Sequence, residues 1–163
     1  MHFFRKVEEH KDTRSRYEVN VGSGFSHEKG GTVFIESVTD WYGPTDFLQM
    51  NKFPSIQDHD AAGSPESLFI GGPIQENKEK VQLANPISYI SKDVNIPPFL
   101  IMHGDEDELV PYNQSELLFT ALQNNGHNAI MYKLKGAGYG TDDFWQKHVL
   151  DIVRNFFDEH LKQ

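Results

Sequence analysis

Between Phe99 and Pro111 the chain reads FLIMHGDEDELVP, a run that sets a histidine and four acids at the end of an apolar stretch. Carboxyl groups at Asp105, Glu106, Asp107 and Glu108 follow a histidine at 103 and a glycine at 104. Such an acid can bind a hard cation, orient an imidazole, or bond the backbone amides of its own turn. Four consecutive acids suit a hard cation, but the run lacks the turn glycine and the later bidentate glutamate of an EF-hand loop. The eight histidines show no H-E-x-x-H or other ligand spacing. No metal and no cofactor is expected, and a solvated turn carboxylate bonding nearby amides is the plainest reading of each acid.

The elements around this loop decide more. Phe99-Leu-Ile-Met102 follows Pro97-Pro98 and reads as a fully buried strand that breaks at His103-Gly104. Val110-Pro111 then leads into a helix. In an open α/β sheet, ligands bind outside the carboxyl ends of the strands, which is where this acidic loop would stand. Residues 32–43, TVFIESVTDWYG, are β-branched and aromatic and end at Gly43-Pro44, predicting a strand over about 33–40. Val33, Phe34 and Ile35 suggest burial on both faces, as a parallel sheet requires.

Beyond that strand, Thr45 or Asp46 can cap a short helix. Ser64 can cap another, with Pro65 at its first position and Leu68, Phe69 and Ile70 as its apolar patch. A charged helix over about 76–84 stops at Asn85-Pro86. Asn113 with Glu116 predicts a capped helix carrying Leu117, Leu118, Ala121 and Leu122 on one face, ended by Asn124-Asn125-Gly126. Asn128–Lys135 alternates Ile130, Tyr132 and Leu134 as a strand does. A last amphipathic helix runs from about Asp143 to 161. This order predicts an α/β fold: three parallel strands near 33–40, 99–102 and 129–134, flanked by helices.

Residues 1–31 sustain neither a helical nor a strand period and form an atypical N-terminal segment ahead of a 32–163 domain. Gly22-Ser23-Gly24 has the wrong spacing for a G-x-S-x-G nucleophile elbow and no apolar strand ahead of it, so it reads as a loop. At 163 residues the chain can build one core, although 37% apolar residues and a mean hydropathy of −0.57 are lean for it. A net charge of −9 argues against nucleic acid or an anionic membrane as partner. The absence of cysteine excludes disulfides and thiolate chemistry and fits a reducing compartment. No apolar run approaches the ~18 residues of a membrane span, and MHFFRKVEEH is not a secretory leader, so a soluble cytoplasmic chain is expected.

His103-Gly-x-x-Asp107-x-x-Val110-Pro111 resembles the acid-bearing turn of the α/β-hydrolase superfamily. Three blocks carry the resemblance: Asp40-Trp-Tyr-Gly-Pro-Thr-Asp-Phe47, Ala61–Leu68 through Asn85-Pro86, and His103–Pro111 with the loop at 136–140. Together they are similar to the C-terminal half of a lipase/esterase-type hydrolase related to feruloyl and acetyl-xylan esterases, with prolyl-oligopeptidase-like enzymes as cousins. The resemblance implies a partial α/β-hydrolase fold, a carboxylic-ester hydrolase, and Asp107 as the acid that orients the catalytic histidine.

It also implies gaps. The triad of this fold runs Ser, Asp, His, with the oxyanion hole built before the serine, yet neither an HGG-type loop nor G-x-S-x-G is present. Where the family reads G-A-G-H-G, this chain reads Gly136-Ala-Gly-Tyr139-Gly140. A phenol with a pKa near 10 cannot shuttle protons near pH 7 as imidazole does. Asp107 then has no imidazole to orient, and the chain alone is expected to be inactive.

Two other readings stand beside a truncated hydrolase. The chain can be one half of a split esterase, accepting a small ester only when complemented. It can also be a non-catalytic binding or interaction module, with Trp41, Tyr42 and Tyr139 lining a shallow apolar pocket. Plain packing of Trp41 and Tyr42 beneath the loop is the simpler alternative to substrate binding. His148, on the last helix, reads as a surface residue rather than a substitute base. The 33–40 strand has no proline to blunt an open edge, so a homo-oligomer or a missing N-terminal half is the expected partner, with segment 1–31 as a competing cover.

Overall fold

The computed structural model describes residues 4–6, 17–19 and 35–161. A short strand β1 (Phe4–Lys6) pairs antiparallel with β2 (Tyr17–Val19), Phe4 opposite Val19. No strand period marks this pair in the sequence, because three residues are too few for an alternation to register.

The main sheet has three parallel strands in the order β3 (Val38–Trp41), β4 (Phe99–Gly104), β5 (Ala129–Leu134). The parallel sheet expected from the sequence is thus present. β3, however, starts later than 33–40, and Val33 and Phe34 lie outside the described residues. Its partner explains the start. Pro97-Pro98 have no N–H to continue a ladder, so pairing begins at Val38 opposite Phe99, and Val38 N–H donates to the Pro98 carbonyl at 2.9 Å.

β4 is buried along its whole length, whereas every residue of β3 is half-buried. Of the residues from which burial on both faces was expected, Val33 and Phe34 lie outside the described residues and Ile35 is half-buried. Among the described residues, β4 is the only neighbour of β3 in the sheet.

Successive side chains of β4 serve opposite faces. Phe99 and Ile101 meet Leu118 and Leu122 of α3 (Asn113–Asn124), while Leu100 and Met102 meet Val149 and Phe156 of α4 (Lys147–Leu161). A third cluster (Phe47, Met50, Ile74, Val81 and Val110) joins the 3₁₀ turn Phe47–Lys52 to α2 (Lys78–Ala84) and the end of the acidic loop. No described helix is long and apolar enough to cross a membrane.

The caps hold in part. Asp46 rather than Thr45 caps the Phe47–Lys52 turn, accepting from Leu48 N. Ser64 caps α1 (Pro65–Ile70) through Ser67 N, with Pro65 at the first position and Gly71 closing the helix at φ +80°. The apolar patch of α1 holds in part: Ile70 packs against the Phe47 cluster, but Leu68 is 71% and Phe69 52% exposed, while Glu66 and Ser67 turn inward. Asn113 does not cap α3. The chain already turns at Pro111–Tyr112, where Gln114 N–H reaches the Pro111 carbonyl at 2.9 Å, and Asn113 becomes the first helical residue.

β4 leaves the sheet through Gly104, where the backbone of the 136–140 loop comes closest. A Cβ there would stand 2.1 Å from the Ala137 carbonyl oxygen and 2.6 Å from its carbon, backbone atoms that cannot swing aside. Gly104→Ala is expected to cost about 2–3 kcal/mol. Urea unfolding followed by circular dichroism should show this loss. Gly63→Ala, where a Cβ meets nothing within 4 Å, should shift the midpoint little.

Candidate active site

At the carboxyl end of β4 the chain must turn from a buried strand to α3, and Asp107 makes the turn. Its side chain is completely buried. Oδ1 accepts from Leu109 N (2.9 Å) and Val110 N (2.8 Å), which folds the loop around the carboxylate. Oδ2 is buried without an aligned donor, 3.2 Å from His103 Nε2. The solvated turn carboxylate of the plainest reading is therefore half right: the amide bonds form, but solvent is excluded.

His103 is fully buried and was not singled out by sequence as a neighbour of the acid. Nε2 lies 3.0 Å from the Val110 carbonyl and Nδ1 2.7 Å from Ser115 Oγ. A carbonyl only accepts, so the proton sits on Nε2 and Ser115 donates to Nδ1. The imidazole thus ties the far end of the acidic loop to strand and helix. The clue in the sequence is a lone polar ring at the end of an otherwise apolar strand.

The end of β5 and the 136–140 loop are fastened to the acidic loop by three bonds. Asp105 N–H donates to the Leu134 carbonyl (3.1 Å), Glu106 N–H to the Ala137 carbonyl (3.1 Å), and Gly136 N–H to Asp105 Oδ1 (2.6 Å). Tyr139 at its tip is 48% exposed, with its ring 4.7 Å from that of Tyr42. Tyr42 follows β3 at φ +44°, a left-handed value uncommon outside glycine. Burial pushes its phenol above the usual tyrosine range, helped by Tyr139 and the charge of Asp107. Tyr42 is thus an electrostatic neighbour of both Asp107 and Tyr139.

Trp41 packs between Phe144 (5.5 Å) and Trp145 (5.4 Å), its Nε1 buried without a partner. Trp41, Tyr42 and Tyr139 also line a cavity of about 600 Å³ along β3, whose far wall includes Phe47, Phe69 and Leu118. Both readings of the two aromatics, packing beneath a loop and lining a pocket, describe part of their surroundings.

Asp40, also on the cavity wall, has Oδ2 enclosed without a partner. Desolvation raises its carboxyl to about 6, against the opposing pull of His103 and the Gly43 amide. A Cβ on Gly43 would lie 2.3 Å from Asp40 Oδ1, so a larger residue there would have to displace that carboxyl.

The sign of the resulting pH dependence follows. The folded pKa lies above the ordinary aspartate value of 3.8, so the native state binds the proton more tightly than the unfolded chain. Burying the ionised group penalises the native state above about pH 6, and that penalty is relieved as pH falls toward 4. Asp58 and Asp151 are shifted downward, so their opposite effect lies at more acid pH. Asp40→Asn should abolish a loss of about 3 kcal/mol between pH 4 and 7 relative to the parent. Urea unfolding of both proteins at unit pH steps measures it, and parallel curves would remove Asp40 as its source.

The BD-FAE family matches residues 7–122, more than half of the chain. Esterase LipC of Mycobacterium tuberculosis is 31% identical over 78 residues, which is 47% of this chain and 19% of the relative. Esterase LipQ of the same organism is 35% identical over 68 residues, 41% of this chain and 16% of the relative. The chain therefore spans less than a fifth of these curated relatives. A truncated form of a carbohydrate esterase from gut microbiota superimposes with a TM-score of 0.65 at 27% identity, over 81% of this chain and 45% of that one. A buried acid on the loop after a parallel strand, in a sheet of this order, accompanies these likenesses: the chain belongs to the BD-FAE family, within the esterase-like α/β-hydrolases.

Proposed function

We propose that residues 32–163 are the acid-bearing C-terminal half of an esterase-type hydrolase domain, with Asp107 at the acid position and Tyr139 at the position of the base. One observation carries the reading: Asp107 is buried at the end of β4, its Oδ1 spent on two amides and its Oδ2 without an aligned donor. An imidazole presented from the neighbouring 136–140 loop would find that oxygen ready to accept its N–H. In ester hydrolysis a serine Oγ–acyl bond forms as the ester C–O bond breaks, and the serine proton passes through the imidazole to the leaving alcohol. Tyr139 cannot carry that proton near neutral pH. Neither a nucleophile elbow nor an oxyanion loop stands in the sequence. The chain by itself is therefore an inactive, truncated relative, and a small ester becomes its substrate only beside a complementing half. Trp41 and Tyr42, on the cavity wall, are then the groups that meet the substrate.

A short-chain nitrophenyl ester should be hydrolysed by the chain alone no faster than by a heat-inactivated control. Saturable turnover that disappears in Asp107→Ala would overturn the reading.

A non-catalytic binding module is favoured by one feature, the Tyr42–Tyr139 ring contact in place of an acid–base pair. Either way the free edge of β3 needs cover. Val38 and Tyr42 direct their N–H groups to the Pro98 and Met102 carbonyls. By alternation, Thr39 and Trp41 present theirs outward. No nucleic acid or membrane partner is proposed for so acidic a chain, and the lack of cysteine suits the cytoplasm. Edge pairing between copies should give a dimer or larger species in size exclusion with light scattering. A monomer at high micromolar concentration would mean that another part of the chain covers this edge.

A further inference from the structure

The acidic loop is gripped from outside as well as from within, and the outer grip involves none of the residues at the acid or base positions. Ser55 Oγ lies 3.0 Å from the Glu108 carbonyl and 3.1 Å from that of Leu109, and Ile56 N–H reaches the Glu108 carbonyl at 2.9 Å. These carbonyls belong to the residues on either side of the amide that Leu109 gives to Asp107. Behind Ser55 stands His59, 1% exposed, with Nε2 3.1 Å from Ser55 Oγ. Its Nδ1 lies 3.2 Å from Oε2 of Glu66, itself buried on α1.

Proton accounting gives this chain a direction. Ser55 has one hydroxyl proton, and both carbonyls it faces can only accept, so the proton goes to them. Ser55 Oγ already accepts from Gln57 N–H at 3.1 Å, and His59 supplies a second donor through Nε2–H. Glu66 Oε2 stands 3.2 Å from Nδ1 without an aligned hydrogen bond, and the residue is held through its backbone, where His59 N–H donates to Asn51 Oδ1 at 2.8 Å. A buried imidazole, held in place through its own backbone, thus fixes the hydroxyl that clamps Glu108 and Leu109.

We propose that His59 is a positioning residue for the acidic loop: through Ser55 it sets the backbone whose amides hold Asp107 Oδ1, and Asn51 holds its own backbone in place. The proposal deepens the assignment of Asp107 to the acid position, but its test uses no substrate. Failure of the hydrolase reading and failure of this one are therefore separately visible.

The test is amide hydrogen exchange in the full chain, read at Leu109 and Val110 against Met102 of β4 as the internal reference. Ser55→Ala and His59→Leu should accelerate exchange at Leu109 and Val110 about tenfold, as expected for loss of one hydrogen bond, and leave Met102 unchanged. His59→Gln keeps an N–H donor of similar reach and should restore protection to within about threefold of the parent. Three results would overturn the proposal. One is unchanged exchange at Leu109 and Val110 in Ser55→Ala. Another is equal acceleration at Met102, which marks global loosening. The third is a His59→Gln variant no better protected than His59→Leu. Should His59→Leu fail to fold, Ser55→Ala, which removes only a half-buried hydroxyl, still decides.

Discussion

A carboxylate taken out of water at the end of a buried strand has to be compensated, and much of this structure follows from compensating Asp107. Leaving such a group unmet costs several kcal/mol even after relaxation. Two amides from its own loop meet one oxygen, and that is possible only if residues 107–110 curl back on the carboxyl. The curl leaves the Val110 carbonyl facing inward, where His103 takes it up, and His103 in turn needs Ser115 at the first turn of α3. Each link supplies the partner that the previous one would otherwise lack. The chain of bonds thereby fixes where β4 ends and α3 begins.

The same requirement explains the close approach of the two loops. Asp105 and Glu106 give their amides to Leu134 and Ala137, and Asp105 Oδ1 takes the amide of Gly136. Backbone can come so near only because residue 104 carries no Cβ. Ala137, fully buried beside Leu100 and Met102, then carries the loop into the core, so Tyr139 extends from a fixed base. Its ring has no enclosed position. It rests on Tyr42, which leaves β3 by a strained turn that Asp40 and Gly43 hold closed.

Sequence patterning disclosed what depends on one element at a time. The four apolar residues after Pro97-Pro98, the Ser64-Pro65 start, the Asp46 cap and the Gly126 stop are local signals, and each stands where it was read. What failed depends on two elements at once. β3 begins at Val38 because of prolines sixty residues away, and α1 turns Glu66 rather than Leu68 inward because His59 waits there. His103, Ser115, Ser55 and Asp40 were not assigned. Histidine, serine and aspartate are commonplace in loops, and only folding shows that these are buried. Asp107 was identified through resemblance; nothing in its spacing separates it from Asp105 or Glu108.

Burial does separate them. Of the four consecutive acids only Asp107 is enclosed, while Asp105, Glu106 and Glu108 keep their side chains at the surface. Exposed carboxylates are hydrated and screened, so they cannot hold a partner in one orientation with much energy. An enclosed one can, because its field is undiluted and its free lone pairs have no water to turn to. Asp40, a second enclosed carboxyl near His103, differs in the one respect that matters: a single amide is its recorded compensation, and desolvation raises its pKa. Asp107 has two amides on Oδ1. They oppose the cost of burying the charged form, and they do so through Oδ1 alone, which leaves Oδ2 as the one acceptor that a neighbouring donor could still engage.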